Sequence, residues 1–455
     1  GERAKPPPPG EGMGAPRPPP PRLKEMRMPT RADLDVVSTH PVAFDGSYVW
    51  SANSMALRIS GITRDTPNPP GGEVVKGPDG EPNGILRAAS QLLKGVREDR
   101  PFTEAEKLDA LQKMLQLYAE AGLTTIGDRA VGPADVALFR KLHAEKRLPV
   151  RTVLTWRINT NRPLGAVLQE VRTNAWTTNQ GDDWLKFGAF KVTLDGGQSV
   201  GTAYQRMPYG PFGRQLYGQT NPDARGTLFV QPEDLYAIFA AARDKGWQLT
   251  SHVQGGSAID ILLDVFERLD KDRPIAPTRS HVMHGSFMSP DALERMKRMG
   301  IVADIQPHWL HLDVPALRRV FGLDNMRWFF PLRSMIAMGI IAAGGSDHMI
   351  GHDKDKAVNP FNPFYGMWMA ITRRTTEGQV IYPEERINRE QALKMFTVWP
   401  AYMNFDENVK GTVEQGKFAD LPAIDRLLFA CPEDALRRIQ PVLTIVGGQI
   451  RHSKL

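Results

Sequence analysis

The chain has 455 residues, of which 41% are hydrophobic and 24% are charged, and its formal net charge is +6. This composition is typical of a globular protein and excludes the disordered and fibrous classes. No segment contains the ~20 apolar residues of a transmembrane helix, and no block of Lys and Arg predicts a nucleic-acid surface. The single cysteine, Cys431, excludes an intramolecular disulfide and a cysteine-based zinc site.

The first 100 residues show few regular patterns. Ten prolines fall in residues 1–30. Because such a composition favours extended backbone and builds no core, we predict an irregular, proline-rich arm there. Residues 31–100 are rich in Pro, Gly and Asn, and they are also predicted to be irregular.

Residues 101–400 alternate between helical patterns and short apolar segments. This alternation predicts a parallel sheet with helices outside it. The spacing favours an α/β fold, a (β/α)8 TIM-like barrel of which seven of the eight strands are readable. An open doubly wound sheet is the competing fold, but no Gly-x-Gly-x-x-Gly fingerprint follows a strand. The predicted strands lie within 123–129, 150–158, 184–197, 247–256, 279–286, 301–307 and 340–348.

The pattern changes after residue 386. Residues 386–403 are predicted to be helical. The short segments that follow are separated by glycines and predict antiparallel strands. We interpret residues 401–455 as part of a small β-sandwich beside the barrel.

Ionisable side chains collect where the predicted strands end, and this edge carries the chemistry in barrel enzymes. Six of the ten histidines lie there or just beyond. A lone histidine at a strand end is more often structural than a ligand, so the cluster is more informative than any single member. Its residues are Asp128, Arg129, Lys191, Asp195, His252, Gln254, His281, His284, Gln306, His308, His311, Asp347 and His348.

The cluster suits a divalent cation such as Zn²⁺, because imidazoles from two neighbouring strands and a carboxylate from a third can meet at one point. A buried Lys191 is costly as a bare cation, whereas a carbamylated lysine offers carboxylate-like oxygens to a metal. We expect metal-activated water to attack a carbonyl carbon while a carboxylate moves the proton. No Gly-x-Ser-x-Gly elbow supports a serine hydrolase.

Several motifs together resemble the amidohydrolase superfamily, in particular its amidohydrolase-3 group of YtcJ-like and N-substituted formamide deformylase-like proteins. The matching segments cover nearly all of the chain from residue 29 onward, and they include KVTLDGG, SHVQGG, HVMHGSFMSP, GGSDH and NPFNPFYGMWMAITRR. The resemblance implies a metal-dependent barrel with a composite β-sandwich. It also implies that residues 31–100 are an insertion, or lid, over the active site.

Motif by motif, the resemblance implies roles for single residues. Lys191 matches a ligand that can be carbamylated in related enzymes, and His252 and His284 match further metal ligands. Asp347 matches a metal-binding aspartate that orients and deprotonates the attacking water. The residues predicted to contact the substrate are Gln306, His348 and His281.

The chain departs from the group's pattern in three places. It contains no His-x-His pair, which the group carries on its first barrel strand, so we expect the N-terminal part with that strand to be missing from this sequence. Gly256 stands where the group usually has Asp, and Ser47 stands where many relatives have His. These two differences predict altered substrate contacts.

The leading hypothesis is a metal-dependent hydrolase that acts on amide or other non-peptide C–N bonds of a small molecule. It would use one or two divalent ions, with Zn²⁺ favoured. One alternative is a truncated or degenerate barrel that acts as a binding or structural subunit, and another is a metal-assisted isomerase or deacetylase-like enzyme. No nucleic-acid partner and no membrane span are predicted, and a homo-oligomer is expected from base rates alone.

Overall fold

The computed structural model describes Glu25 and residues 27–69, 71–96 and 101–455. These residues form three sheets that follow one another along the chain. The proline-rich arm predicted for residues 1–30 falls almost wholly outside the described residues, so it stays a prediction.

The first sheet lies in the segment expected to be irregular, and that expectation was wrong. The elements here are α1 (Arg31–Leu34), β1 (Ala43–Gly46), β2 (Val49–Ala52), α2 (Ser54–Ser60), β3 (Glu73–Lys76) and β4 (Pro82–Arg87). The four strands are antiparallel and pair in the order β1-β2-β4-β3. Strands this short, joined by glycine turns such as the one at Gly80, show too little alternation to be recognised from sequence.

The second sheet contains seven parallel strands and confirms the predicted α/β fold. The strands are β5 (Thr125–Val131), β6 (Arg151–Arg157), β7 (Leu185–Thr193), β8 (Gln248–Val253), β9 (His281–His284), β10 (Val302–Ile305) and β11 (Ala342–Gly344). Each strand pairs with the next one in the chain, so β5 and β11 are the two edges. All seven overlap the predicted segments.

Helices connect these strands and cover the sheet. They are α3 (Glu104–Glu120), α4 (Pro133–Ala144), α5 (Leu164–Thr173), α6 (Gly210–Tyr217), α7 (Pro232–Asp244), α8 (Gly256–Asp272), α9 (Pro290–Met299), α10 (His308–Phe321), α11 (Leu332–Ala337) and α12 (Pro363–Thr372). In α8, Ile259, Leu262, Leu263, Phe266 and Leu269 are fully buried at the three-to-four spacing of a core-facing helix. Across the described ranges, no helix is both long enough and apolar enough to span a bilayer.

The third sheet confirms the antiparallel strands predicted near the C-terminus. Two helices precede it, α13 (Arg389–Phe396) and α14 (Val398–Met403), and its strands are β12 (Leu421–Ile424), β13 (Pro441–Val446) and β14 (Gln449–Ser453). A buried ion pair joins this sheet to the barrel. Nε of Arg151, at the start of β6, lies 2.6 Å from Oδ2 of Asp420, and both side chains are only 4% exposed.

Replacing Asp420 by Ala is expected to lower the free energy of unfolding by about 3–5 kcal/mol, because the buried Arg151 guanidinium loses its carboxylate. Urea unfolding followed by circular dichroism measures the change. Asp109→Ala is the matched control, since the ion pair of Asp109 with Lys113 on α3 is exposed. The control should change stability by less than about 1 kcal/mol. Equal effects of the two substitutions would contradict a stabilising link at Asp420.

Candidate active site

A cavity of about 1960 Å³ opens at the carboxyl ends of the barrel strands. It is larger than the ~300–1,000 Å³ of typical small-molecule pockets, and it is lined by residues of both edge strands and of the N-terminal sheet. The predicted site residues on its wall are Lys191, His252, His284, Gln306, Asp347 and His348. The remaining one, His281, is fully buried and does not line the cavity.

Strand register sets the depth of these side chains. His252 on β8 is in register with Thr193 on β7 and with Met283 on β9, and all three line the cavity. Lys191 stands two residues before Thr193, so it faces the same side one layer deeper in the barrel. His281 stands two residues before Met283 and occupies that deeper layer as well. The long lysine side chain reaches the cavity from there, and the imidazole of His281 does not.

The backbone of His284 turns its imidazole toward the site. Regular alternation along β9 would place His284 on the face opposite to Met283. Its φ is instead 71°, a left-handed value that is uncommon for a residue with a side chain. As a result, Nε2 of His284 lies 3.0 Å from Nδ1 of His252. Asp347 is also left-handed, with φ 53°, and backbone strain of this kind clusters at functional sites.

Hydrogen bonds on the outer side of each ring assign the imidazole protons. Nδ1 of His284 lies 2.7 Å from Oε1 of Gln306, and the Gln306 amide is oriented by its own N–H, which donates to Oδ1 of Asp304 over 3.0 Å. Nε2 of His252 lies 3.3 Å from the carbonyl oxygen of Gly196. Nδ1 of His284 therefore donates its N–H to Gln306, and Nε2 of His284 presents a lone pair to His252. The contact of His252 Nε2 with Gly196 favours the tautomer in which Nδ1 of His252 presents a lone pair as well. Metal-binding histidines are typically held by such partners.

With His252 in that tautomer, two lone pairs lie 3.0 Å apart and repel each other unless a cation lies between them, whereas a His252 protonated on Nδ1 would donate a hydrogen bond to Nε2 of His284. A proton is a poor candidate for that cation at neutral pH, because burial lowers the pKa of His252 to about 3. Burial and the neighbouring His252 also hold the pKa of His284 well below its usual range. Neutral imidazoles do bind Zn²⁺ through their lone pairs. The donor chemistry of this pair therefore fits a metal ion.

The imidazoles and carboxylates of this site do not by themselves form a complete set of metal ligands. In the described part of the chain, no group of three His, Cys, Asp or Glu side chains is arranged to hold an ion. The donors that meet are His252 and His284, and Lys191 is close enough to lower the pKa of both. A complete site needs a further donor, for which the resemblance implies Lys191 and Asp347.

Lys191 and Asp347 influence each other electrostatically. Lys191 is 7% exposed, and burial lowers its pKa to about 8 although Asp347 favours its charged form. Burial raises the pKa of Asp347 to about 6, and Lys191 opposes that rise. The lysine is therefore more readily deprotonated than usual, and the aspartate is a stronger base than usual.

A chain of hydrogen bonds along the cavity wall was missed by the sequence-based prediction. Arg129 pairs with Asp304, Asp304 accepts a hydrogen bond from Gln306, and Gln306 accepts one from His284. Arg129 also donates to Nε2 of the buried His281 over 2.8 Å, so His281 holds Arg129 from below. The signal available in the sequence was the two-residue spacing of Asp304 and Gln306, which places both on one face of the chain.

Tyr48 forms an aromatic wall of the site, and nothing in the sequence singled it out. It reaches the cavity from the turn between β1 and β2. Its ring centroid lies 5.7 Å from that of His252 and 5.9 Å from that of Phe229. Burial and the carboxylates of Asp347 and Asp195 raise the pKa of the Tyr48 hydroxyl, which therefore stays protonated and can donate a hydrogen bond.

His348 is half-buried on the cavity wall and is held at both ring nitrogens. Nδ1 lies 2.8 Å from the hydroxyl of Tyr118, and Nε2 lies 2.9 Å from the carbonyl oxygen of Gly351. Because a carbonyl only accepts, Nε2 carries the proton and Nδ1 accepts from Tyr118. The ring orientation is thus fixed, and its role as a substrate contact stays a prediction.

A sequence model of the Amidohydrolase family matches residues 10–452. The chain belongs to the amidohydrolase family. This finding confirms the resemblance seen in the motifs, and it confirms the prediction that the protein is a hydrolase.

Known relatives match most of this amidohydrolase, among them a deformylase and YtcJ. N-substituted formamide deformylase of Arthrobacter pascens is 28% identical over 459 residues, which cover 98% of this chain and 80% of the relative. YtcJ of Bacillus subtilis strain 168 is 27% identical over 417 residues, which cover 89% of this chain and 72% of YtcJ.

Solved structures share the fold. An uncharacterized metal-dependent hydrolase from Pyrococcus horikoshii superimposes with a TM-score of 0.66 at 20% identity, covering 90% of this chain and 76% of that one. One from Pyrococcus furiosus gives a TM-score of 0.60 at 21% identity, covering 86% and 73%. At these identities the likeness establishes the barrel architecture.

Proposed function

We propose that this amidohydrolase hydrolyses amide or other non-peptide C–N bonds of small molecules with the help of a divalent metal, preferably Zn²⁺, as one or two ions. The observation that carries the proposal is the pair of facing imidazole nitrogens of His284 and His252, which are 3.0 Å apart at the carboxyl ends of their strands. The family assignment supports C–N bonds as the bond class. One relative is an N-substituted formamide deformylase, which makes formamides the first substrates to test.

Lys191 is proposed to extend the ligand set as a carbamate. Its lowered pKa leaves part of the side chain as the neutral amine. The amine lone pair can then attack the carbon of CO₂, forming an N–C bond while one N–H proton leaves to solvent. The carbamate anion offers two acceptor oxygens where the ammonium offers none. Asp347 is the fourth proposed ligand.

The chain's own residues have distinct parts in the proposed reaction. When bound, the metal supplies Lewis-acid polarisation of the substrate carbonyl and of water. The carboxylate of Asp347 takes the proton from the attacking water and passes it to the leaving nitrogen. With a pKa of about 6, this group is mostly ionised at neutral pH. Gln306 holds His284 in the tautomer that frees Nε2, and the ring of Tyr48 shelters His252 from water.

The domain boundaries and substrate contacts follow from the same proposal. Residues 31–100 act as the lid, which is supported by the position of Tyr48 on the cavity wall. Residues 101–400 form the catalytic barrel, and residues 401–455 supply the β-sandwich portion. Gln306 and His348 remain the proposed substrate contacts, while His281 acts through Arg129. No described residue favours the alternative of a non-catalytic subunit.

Metal-dependent hydrolysis tests the proposal directly. The protein is stripped of metal with a chelator, dialysed, and reloaded with Zn²⁺. It is then assayed on a panel of N-formyl and N-acetyl amines. We expect hydrolysis by the reloaded protein and none by the stripped one. Equal rates for the two preparations, or no hydrolysis of any substrate by the reloaded protein, would overturn the proposal.

Replacing Gln306 by Leu is expected to lower Zn²⁺ affinity about 10- to 100-fold, because the N–H of His284 loses its acceptor and the tautomer is no longer fixed. Competition with a calibrated chelator measures the affinity. Gln112→Leu is the matched control, since the oxygen of Gln112 accepts from Arg147 away from the cavity. If Gln306→Leu binds Zn²⁺ as tightly as the control, Gln306 does not fix the tautomer of a metal-binding His284.

A further inference from the structure

Arg157 places a guanidinium on the wall of the proposed active site. It is the last residue of β6 and is in register with Lys191 on β7. Side chains in register on neighbouring parallel strands face the same side, and both of these line the cavity. Arg157 is the one exposed residue of an otherwise buried strand, so its side chain is open to a ligand in the cavity.

Apart from the proposed ligand Lys191, the other cationic side chains on this wall have carboxylate partners. Arg129 is bound by Asp304, Lys394 by Glu390, and Lys410 by Asp406. For Arg157, by contrast, no carboxylate partner occurs among the described residues. An unpaired arginine on an open surface is simply solvated by water and does not indicate a binding site. Arg157 differs because it faces a concave site, one strand away from the proposed ligand Lys191.

The charges facing Arg157 limit the ligand that it can hold. Tyr48 lines the same cavity as Arg157, and the guanidinium opposes the rise that burial and the carboxylates of Asp347 and Asp195 cause in the pKa of the Tyr48 hydroxyl. Asp128 and Asp347 also line the cavity and would repel a doubly charged anion. One guanidinium and one phenolic hydroxyl therefore suit a monoanion, and the planar fork of arginine matches a carboxylate.

We propose that Arg157 binds a carboxylate of the substrate, so that the enzyme prefers amides of the N-acyl or N-formyl amino acid class. This inference rests on the proposed function. Neighbouring strands are about 4.8 Å apart, so a carboxylate held by Arg157 lies near a group that reacts beside Lys191. In an N-acyl amino acid the carboxylate carbon is two bonds from the amide nitrogen, which matches so short a separation.

A matched pair of substrates tests the role of Arg157. N-formylleucine and N-formylisopentylamine differ only in the carboxylate. The wild-type enzyme should prefer N-formylleucine by about 10- to 100-fold in kcat/KM, the range expected for a hydrogen-bonded charge. Arg157→Gln should remove that preference, mainly by raising KM for N-formylleucine. Arg162→Gln, beyond the same strand and paired with Glu170 outside the cavity, should leave the preference unchanged.

A binding measurement separates failure of this inference from failure of the proposed function. Calorimetric titration with 4-methylpentanoate, which has no amide to hydrolyse, should show about 10-fold weaker binding to Arg157→Gln than to wild type. If neither formamide is hydrolysed but this difference is found, the proposed function fails and the anion site stands. Equal affinities in the titration, or an unchanged substrate preference in Arg157→Gln, would overturn the role of Arg157.

Discussion

Asn in place of Asp347 is expected to reduce kcat/KM of the metal-replete enzyme by about 10²- to 10⁴-fold, the range for loss of a general base. The amide fills the same volume as the carboxylate but does not take up a proton at neutral pH. The backbone at this position is left-handed, with φ 53°, and Asn tolerates that conformation. The fold should therefore survive, and steady-state kinetics on the N-formyl amines measures the loss.

Asp353→Asn provides the matched control for this substitution. Asp353 lies six residues further along and outside the cavity lining, where its nearest cation is Lys356 at 3.9 Å. The same chemical change there should leave turnover near the wild-type value. Near-normal turnover in Asp347→Asn would count against Asp347 as the proton acceptor.

Asn in place of His284 is expected to lower Zn²⁺ affinity by more than ~100-fold. This loss is larger than that expected for Gln306→Leu, because His284 is a proposed metal ligand whereas Gln306 only orients one. The substitution removes one of the two facing nitrogens. Asn also accepts the left-handed backbone of His284, φ 71°, so loss of metal should not be a consequence of misfolding. His252→Asn should have a similar effect, and metal content after equilibrium dialysis reports both.

His143→Asn is the matched control for the two histidine-to-asparagine substitutions. His143 lies on α4, where Nε2 is 2.8 Å from a carboxylate oxygen of Asp182, and it does not line the cavity. This variant should retain wild-type Zn²⁺ affinity. Should His284→Asn and His252→Asn keep full metal content under the same conditions, the two imidazoles would not be the metal site.

The barrel could be predicted because its physical signature is local. Strands such as β7 are largely buried, so their sequences are short and rich in apolar residues and contrast with the longer amphipathic helices between them. The polar residues at their carboxyl ends, such as His252 and Asp347, then mark the rim. The N-terminal sheet lacks that signature, since its short strands are separated by the same Gly and Asn residues that suggested irregular structure.

The orientation of the two histidines on β9 could not be predicted. In the segment HVMH, His281 and His284 are three residues apart, so alternation alone places them on opposite faces without saying which one lines the site. The left-handed backbone of His284 turns its imidazole into the site. The sequence does not reveal that conformation, because it depends on tertiary contacts.

The supporting contacts of the site were also beyond sequence reasoning. Arg129 and Asp304 are 175 positions apart in the chain, and their pairing depends on the curvature of the sheet. Tyr48 comes from a different sheet, and only the docking of that sheet brings its ring to His252. Local patterns therefore predicted the ligand candidates, while the residues that orient them required the fold.

Crystals of the metal-replete protein, measured with X-rays on both sides of the zinc absorption edge, test the central claim most directly. We predict an anomalous peak between the two imidazoles, ~2.0–2.2 Å from Nδ1 of His252 and from Nε2 of His284. Density for a carbamate on Lys191 would support the extended ligand set. An active, zinc-containing crystal with its anomalous peak elsewhere, or with His252 and His284 bonded only to protein atoms, would contradict the account.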